Sequence, residues 1–142
     1  MENNEKMNPV MHFEMPAEDR NRMAVFYSNA FGWKTKMFGE DMGNYVVVTT
    51  TETDEDGMIK NPGAINGGFY PKNDETPDQC PSLVIGVDDI REAMDRIIEA
   101  GGKLLGEPVE IPGYGHYVSF YDTEGNRLSI MQPFMKMQSS GQ

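Results

Sequence analysis

Apolar and polar residues alternate through "VMHFEM" (Val10 to Met15), the mark of a half-buried strand. In an extended chain His12 and Glu14 then share one face while Phe13 and Met15 share the other. The period changes a few residues later. Met23, Phe26, Tyr27, Ala30 and Phe31 fall at i, i+3, i+4, i+7 and i+8, which predicts one apolar face of a helix with Asp19 as its cap. "SLVIGV" (Ser82 to Val87) is continuous enough for a fully buried strand. Ile90, Ala93, Met94, Ile97 and Ile98 then repeat the helical spacing, with Asp88 or Asp89 as cap and Gly101-Gly102 as the stop. Three strands are expected after each helix: "KTKMFG", "NYVVVTTT" and "AINGGFYP" after the first, and "KLLGEPVEI", "GHYVSFYD" and "RLSIMQ" after the second. The turn "TEGN" joins the last two.

The two halves are copies. Shifted by 70 residues, "HFEMPAEDRNRMAVFYSNAFGW" overlies "SLVIGVDDIREAMDRIIEAGGK", pairing Asp19 with Asp89 and Gly32 with Gly102; shifted by 72, "GNYVVV" overlies "GHYVSF". The expected fold class is α+β, with two tandem βαβββ modules forming one domain around a curved sheet cleft lined by both. Module one covers about 9–72 and module two about 80–135, with 136–142 ("KMQSSGQ") as a disordered end.

Composition narrows the functional classes. A net charge of -11 argues against nucleic acid, whose phosphates call for clustered Lys and Arg. No apolar run approaches the ~20 residues needed to span a bilayer. "MENNEKMNP" lacks the apolar core of a secretion signal and Cys80 is the single cysteine, so a cytoplasmic location is expected. Cys80, in "DQCPS", reads as a loop thiol. The acidic stretch "ETDEDGMIKNPG" reads as a solvated loop. A cation site on Glu52, Asp54 and Asp56 would lack the spacing of known calcium loops.

Taken together, "HFEMPAEDRNRMAVFYSNAFGW", "GVDDIREAMDRIIEAGGKLL" and "FYDTEGNRLSIMQP" resemble the vicinal oxygen chelate superfamily, which includes glyoxalase I, bleomycin resistance proteins and extradiol dioxygenases. The resemblance spans about Val10 to Pro133. It implies four metal-ligand positions, on the first and last strands of each module. These fall at His12, at Ser82, near Asn66 or Gly67, and at Ser129. One imidazole among two serines and an amide or glycine is a poor donor set for a divalent ion. The resemblance also implies pairing of chains into a homodimer.

His12 and Glu14 are the candidate catalytic residues, read as a hydrogen-bonded pair in which the carboxylate would raise the histidine pKa and orient its tautomer. His116 could join them as a two-histidine, one-carboxylate metal set, and "EIPGYGHY" reads as a turn or flap over the cleft. Phe69, Tyr114, His116, Tyr117 and Met131 are expected to line the cleft, where methionine and aromatic surfaces suit an apolar or planar ligand. Phe26, Tyr27 and Met94 read as core. Three functions follow. The favoured one is metal-independent binding of a small, partly apolar molecule. The second is a glyoxalase-like lyase, isomerase or dioxygenase using Zn, Ni, Fe or Mn at a rearranged site. The third is a dimeric accessory domain without ligand.

Overall fold

In the computed structural model, which describes residues 7–75 and 79–134, the chain runs β1 (Val10–Ala17), α1 (Arg20–Phe31), β2 (Lys34–Met37), β3 (Val46–Thr49), β4 (Asn66–Pro71), β5 (Ser82–Gly86), α2 (Ile90–Glu99), β6 (Lys103–Leu104), β7 (Val109–Ile111), β8 (Gly115–Tyr121) and β9 (Arg127–Pro133). The class is α+β and the order is that of a repeated βαβββ module. The chain divides into two units, His12–Ser82 and Leu83–Gln142 with Met1–Met11. The expected disordered end at 136–142 and the first six residues of the opening stretch lie outside the described residues. Among the described residues no helix is long and apolar enough to cross a membrane.

In the unit His12–Ser82 the strand order is β2-β3-β4-β1. β1 and β4 are parallel, with His12 opposite Asn66 and Glu14 opposite Gly68, whereas β2, β3 and β4 are antiparallel in turn. Alternation sends Phe13 and Met15 toward α1, where they pack with Met23, Tyr27 and Trp33 on a buried cluster of Ala17, Val46, Val48 and Phe69. Asp19 caps α1 by accepting from the Arg22 amide at 3.0 Å, and Gly32 ends the helix at φ 74°, a left-handed conformation that favours glycine. The Arg20 guanidinium donates to the carbonyls of Phe38 (2.6 Å) and Asn44 (3.0 Å), so α1 holds the turn that leads into β3. One core reading needs correcting: Phe26 is 57% exposed. It sits at the margin of the apolar stripe, edge-on to Tyr27, while Tyr27 stacks on Trp33 at 4.7 Å and takes the inward position.

The second unit has the order β5-β9-β8-β6, with β7 also paired to β8. Ile90, Ala93 and Met94 of α2 are buried against Val87, Val118, Phe120 and Ile130. Ile98, expected on that face, is exposed. Asp89, rather than Asp88, is the cap, accepting from the Glu92 amide at 3.1 Å; Gln132 Oε1 accepts from the Ile90 amide at 2.8 Å and ties the helix to β9. The strand expected through "KLLGEPVEI" is two short strands, because Gly106 is left-handed (φ 121°) and Pro108 lacks an amide hydrogen for a ladder. Both pieces still pair antiparallel to β8.

Two loops use their own carboxylates to close their turns. Asp122 accepts from the amides of Glu124 and Asn126 and from the Asn126 side chain, so the D-x-EGN motif is a hairpin turn, and these bonds, the Asn126 side chain first, hold the Asp122 carboxyl below its usual pKa. Asp54 closes its own turn by accepting from the amides of Asp56 and Met58, and Glu52 lies 3.7 Å from Lys60.

Candidate functional site

The face of the first unit's sheet turned away from α1 carries His12 and Glu14, as the alternation requires. The two side chains do not bond directly to each other; both meet the phenol of Tyr45. His12 Nε2 lies 3.0 Å from Tyr45 Oη, and Tyr45 donates to Glu14 Oε2 at 3.1 Å. The protons can therefore be placed. An ionised carboxylate only accepts, so the single phenolic proton belongs to the bond with Glu14, and His12 must donate its Nε2 hydrogen to Tyr45. His12 is fixed in the Nε2–H tautomer and Nδ1 carries the lone pair. Among the described residues no hydrogen bond to Nδ1 is seen.

Burial pushes the His12 pKa down from its ordinary 6.5 to about 4. This reverses the expected rise, because a neutral phenol, not the carboxylate, touches the imidazole. The unfolded chain then takes up a proton before the folded one does, so the stability conferred by neutral His12 is complete above pH ~6.5 and is lost as pH falls toward 4. Allowing for the partial exposure of the ring, we expect a loss of about 2 kcal/mol across that window. Urea unfolding at pH 7 and at pH 4.5 checks it; the wild-type drop must exceed that of His12→Gln.

Why Tyr45 reaches this position is written in β4. Consecutive glycines, Gly67 and Gly68, admit a ring on each face: a Cβ on Gly67 would strike the Phe13 ring, and one on Gly68 would strike the Tyr45 phenol, both closer than the 3.0 Å below which real Cβ atoms essentially do not approach. The turn before β3 does the rest, with Asn44 in a left-handed conformation (φ 57°) and its carbonyl held by Arg20. Tyr45 was missed in the sequence, although the repeat pairs it with Tyr117, which was singled out.

The second unit carries an equivalent polar cluster. Ser129 donates to Tyr117 Oη at 2.9 Å and, with that proton spent, accepts from Ser119 at 2.9 Å. Ser129 is buried, Met131 lies on the same face opposite Tyr117, and this face is the one away from α2. His116 belongs to the other face with Val118 and Phe120. Its Nε2 is 3.9 Å from Glu110 and its ring is edge-on to Phe134. Tyr114 is partly exposed in the turn before β8, its carbonyl accepting from the Phe134 amide. Phe69 is fully buried in its core cluster, under Tyr27, so it packs the fold and lines no ligand surface. Cys80 is exposed and free.

A family model described as the Glyoxalase/Bleomycin resistance protein/Dioxygenase superfamily matches residues 10–130. The chain belongs to that superfamily. A glyoxylase-like domain-containing protein of Didymella fabae is 32% identical over 124 residues, covering 85% of this chain and 91% of its own. Among solved structures, methylmalonyl-CoA epimerase from Streptomyces coelicolor, in complex with 2-nitronate-propionyl-CoA, superposes with TM-score 0.69 at 14% identity, covering 94% of this chain and all of its own. A hypothetical protein, BH1468, from Bacillus halodurans gives TM-score 0.66 at 15% identity, covering 94% of this chain and 100% of its own. At such identities these structures speak to the fold alone.

The residues present do not fit the divalent metal that the superfamily resemblance implies. Strand register matches Gly68, next to the expected Asn66 or Gly67, with Ser129 of the second copy: Gly68 opposes Val47 and Glu14, as Ser129 opposes Ser119 and Val84. Gly68 has no donor side chain, and the Tyr45 ring fills the place of one. Asn66 Oδ1 is committed to the amides of Thr50 (2.7 Å) and Thr51 (3.1 Å). The His12 nitrogen facing the network carries a proton, and Ser129 has given up its own to Tyr117. Among the described residues no group of three or more His, Cys, Asp or Glu is arranged to hold a metal ion.

Proposed function

We propose that this superfamily member binds a small, partly apolar molecule without a metal, and that the His12–Tyr45–Glu14 network orients it. The observation that supports this reading most is the Tyr45 phenol, which bridges His12 and Glu14 while filling the space over Gly68 where a metal ligand would project. A hydrogen-bonded network of fixed direction suits the task, because it presents defined acceptors at no further ordering cost on binding. In the second unit, taken by itself, Tyr117 and Met131 are proposed as an apolar ligand-facing surface. We also propose a cytoplasmic homodimer, which light scattering of the purified chain addresses.

Binding is tested by screening small aromatic and aliphatic molecules with saturating chelator present. Ligands recovered under those conditions should lose about tenfold or more in affinity with His12→Ala or Glu14→Ala, the expected cost of one charged or two neutral hydrogen bonds. Binding that appears only when zinc or manganese is restored would replace this reading by the metal-dependent one.

A further inference from the structure

Phe26 belongs to a stripe of α1 that turns outward. Arg22, Val25, Phe26 and Asn29 fall at i, i+3, i+4 and i+7, on the side away from Met23 and Tyr27, which pack on the sheet. Val25 and Phe26 are each more than half exposed, and so is Phe31, whose ring lies 6.5 Å from that of Phe26. The repeat supplies an internal comparison. Under the shift of 70 the same four positions of α2 are Glu92, Asp95, Arg96 and Glu99, a charged stripe of the kind that faces water. Exposed apolar side chains that stand where the sister module keeps charges mark a surface for a partner.

We propose that this stripe is the contact between two copies of the chain, with their α1 helices antiparallel about a two-fold axis through Phe26. The proposal rests on the homodimer reading above and gives it a surface. A two-fold contact requires one end of the patch to complement the other. The ends of α1 do so. Glu18, its side chain exposed and 3.8 Å from Arg22, precedes the helix, and the exposed Lys34 follows it. Each is eight residues from Phe26, so the axis sets Glu18 of each copy at the end where the other has Lys34. Charge also favours this place over others. The chain carries 23 acidic against 12 basic residues, which opposes self-association, yet no Asp or Glu occurs between Asp19 and Glu40. A strongly basic partner would be drawn to the acidic surface elsewhere. One helix face per copy is a small contact, so the dimer is expected to dissociate at about micromolar concentration.

Sedimentation velocity of the full chain, from low to high micromolar concentration, tests the proposal. The wild type should pass from monomer to dimer. Val25→Asp combined with Phe26→Arg writes the residues of α2 into positions of α1 that are already exposed. It should keep the wild-type urea midpoint in dilute solution and weaken dimerisation about thirtyfold or more. Glu18→Lys and Lys34→Glu should each weaken it about fivefold or more, because like charges then meet at both ends. An equimolar mixture of those two variants should recover the dimer, since opposite charges meet at both ends of the mixed pair. If the double change unfolds the chain, the mixing result decides. A dimer that the double change leaves intact, or a mixture no better than its components, overturns this surface and leaves the homodimer reading standing. A wild type that stays monomeric throughout overturns both.

Discussion

Replacing Phe69 by alanine is expected to cost about 3–5 kcal/mol, a large part of a small domain's stability. Phe69 is 0% exposed, on a strand between β1 and β3, with Val46 and Val48 from β3 beside it and the Tyr27 ring 5.7 Å away. Removing the ring leaves a cavity between the sheet and the Tyr27 ring of α1, among side chains that are already packed and can close it only in part. Phe26→Ala is the control. That ring is 57% exposed, and its loss should cost under about 1 kcal/mol. Urea denaturation of both variants separates a core phenylalanine from a marginal one. Equal losses would place α1 wrongly on its sheet.

The second large effect is expected at Gly68. A methyl group there collides with the end of the Tyr45 side chain, which is movable, so the phenol swings aside and the backbone stays. The cost is then the lost packing and the two hydrogen bonds of the network, about 2–3 kcal/mol. Gly68→Ala combined with Tyr45→Ala should cost clearly less than the two single changes added, because the collision exists only when both side chains are present. Strict additivity would mean that the ring does not lie over Gly68. The single variant should also release His12 from its tautomer, visible in ring-nitrogen NMR spectra.

How much of this could be read from residues alone depended on the range of the forces involved. Caps and periodicity are local, so Asp19, a cap at Asp88 or Asp89, and the inward faces of Met23, Tyr27, Ala93 and Met94 were legible. The break at Gly106 and Pro108 was legible in principle, yet the apolar residues on either side masked it. Phe26 and Ile98 were misplaced because a helical stripe is wider than the contact it makes, and only the docking angle decides which margin is wet. Phe69 was expected in the cleft and is core, because alternation names a face without saying what covers it. Within the site, the shared face of His12 and Glu14 followed from strand geometry. Tyr45 did not, because its role depends on a ring passing over glycines more than twenty residues away, a long-range fit with no local signature. The Gly67-Gly68 pair was the available clue, since glycine inside a strand often marks such an approach.

The most direct measurement is the metal content of tag-free protein by elemental mass spectrometry, after incubation with zinc, nickel, iron and manganese, with His12→Ala alongside. If Tyr45 occupies the space a metal ligand would need, we expect far less than one ion per chain under every condition and the same value in the variant. Close to one ion per chain, abolished by His12→Ala, would show that His12 is a ligand and that the hydrogen-bonded network gives way to a metal centre.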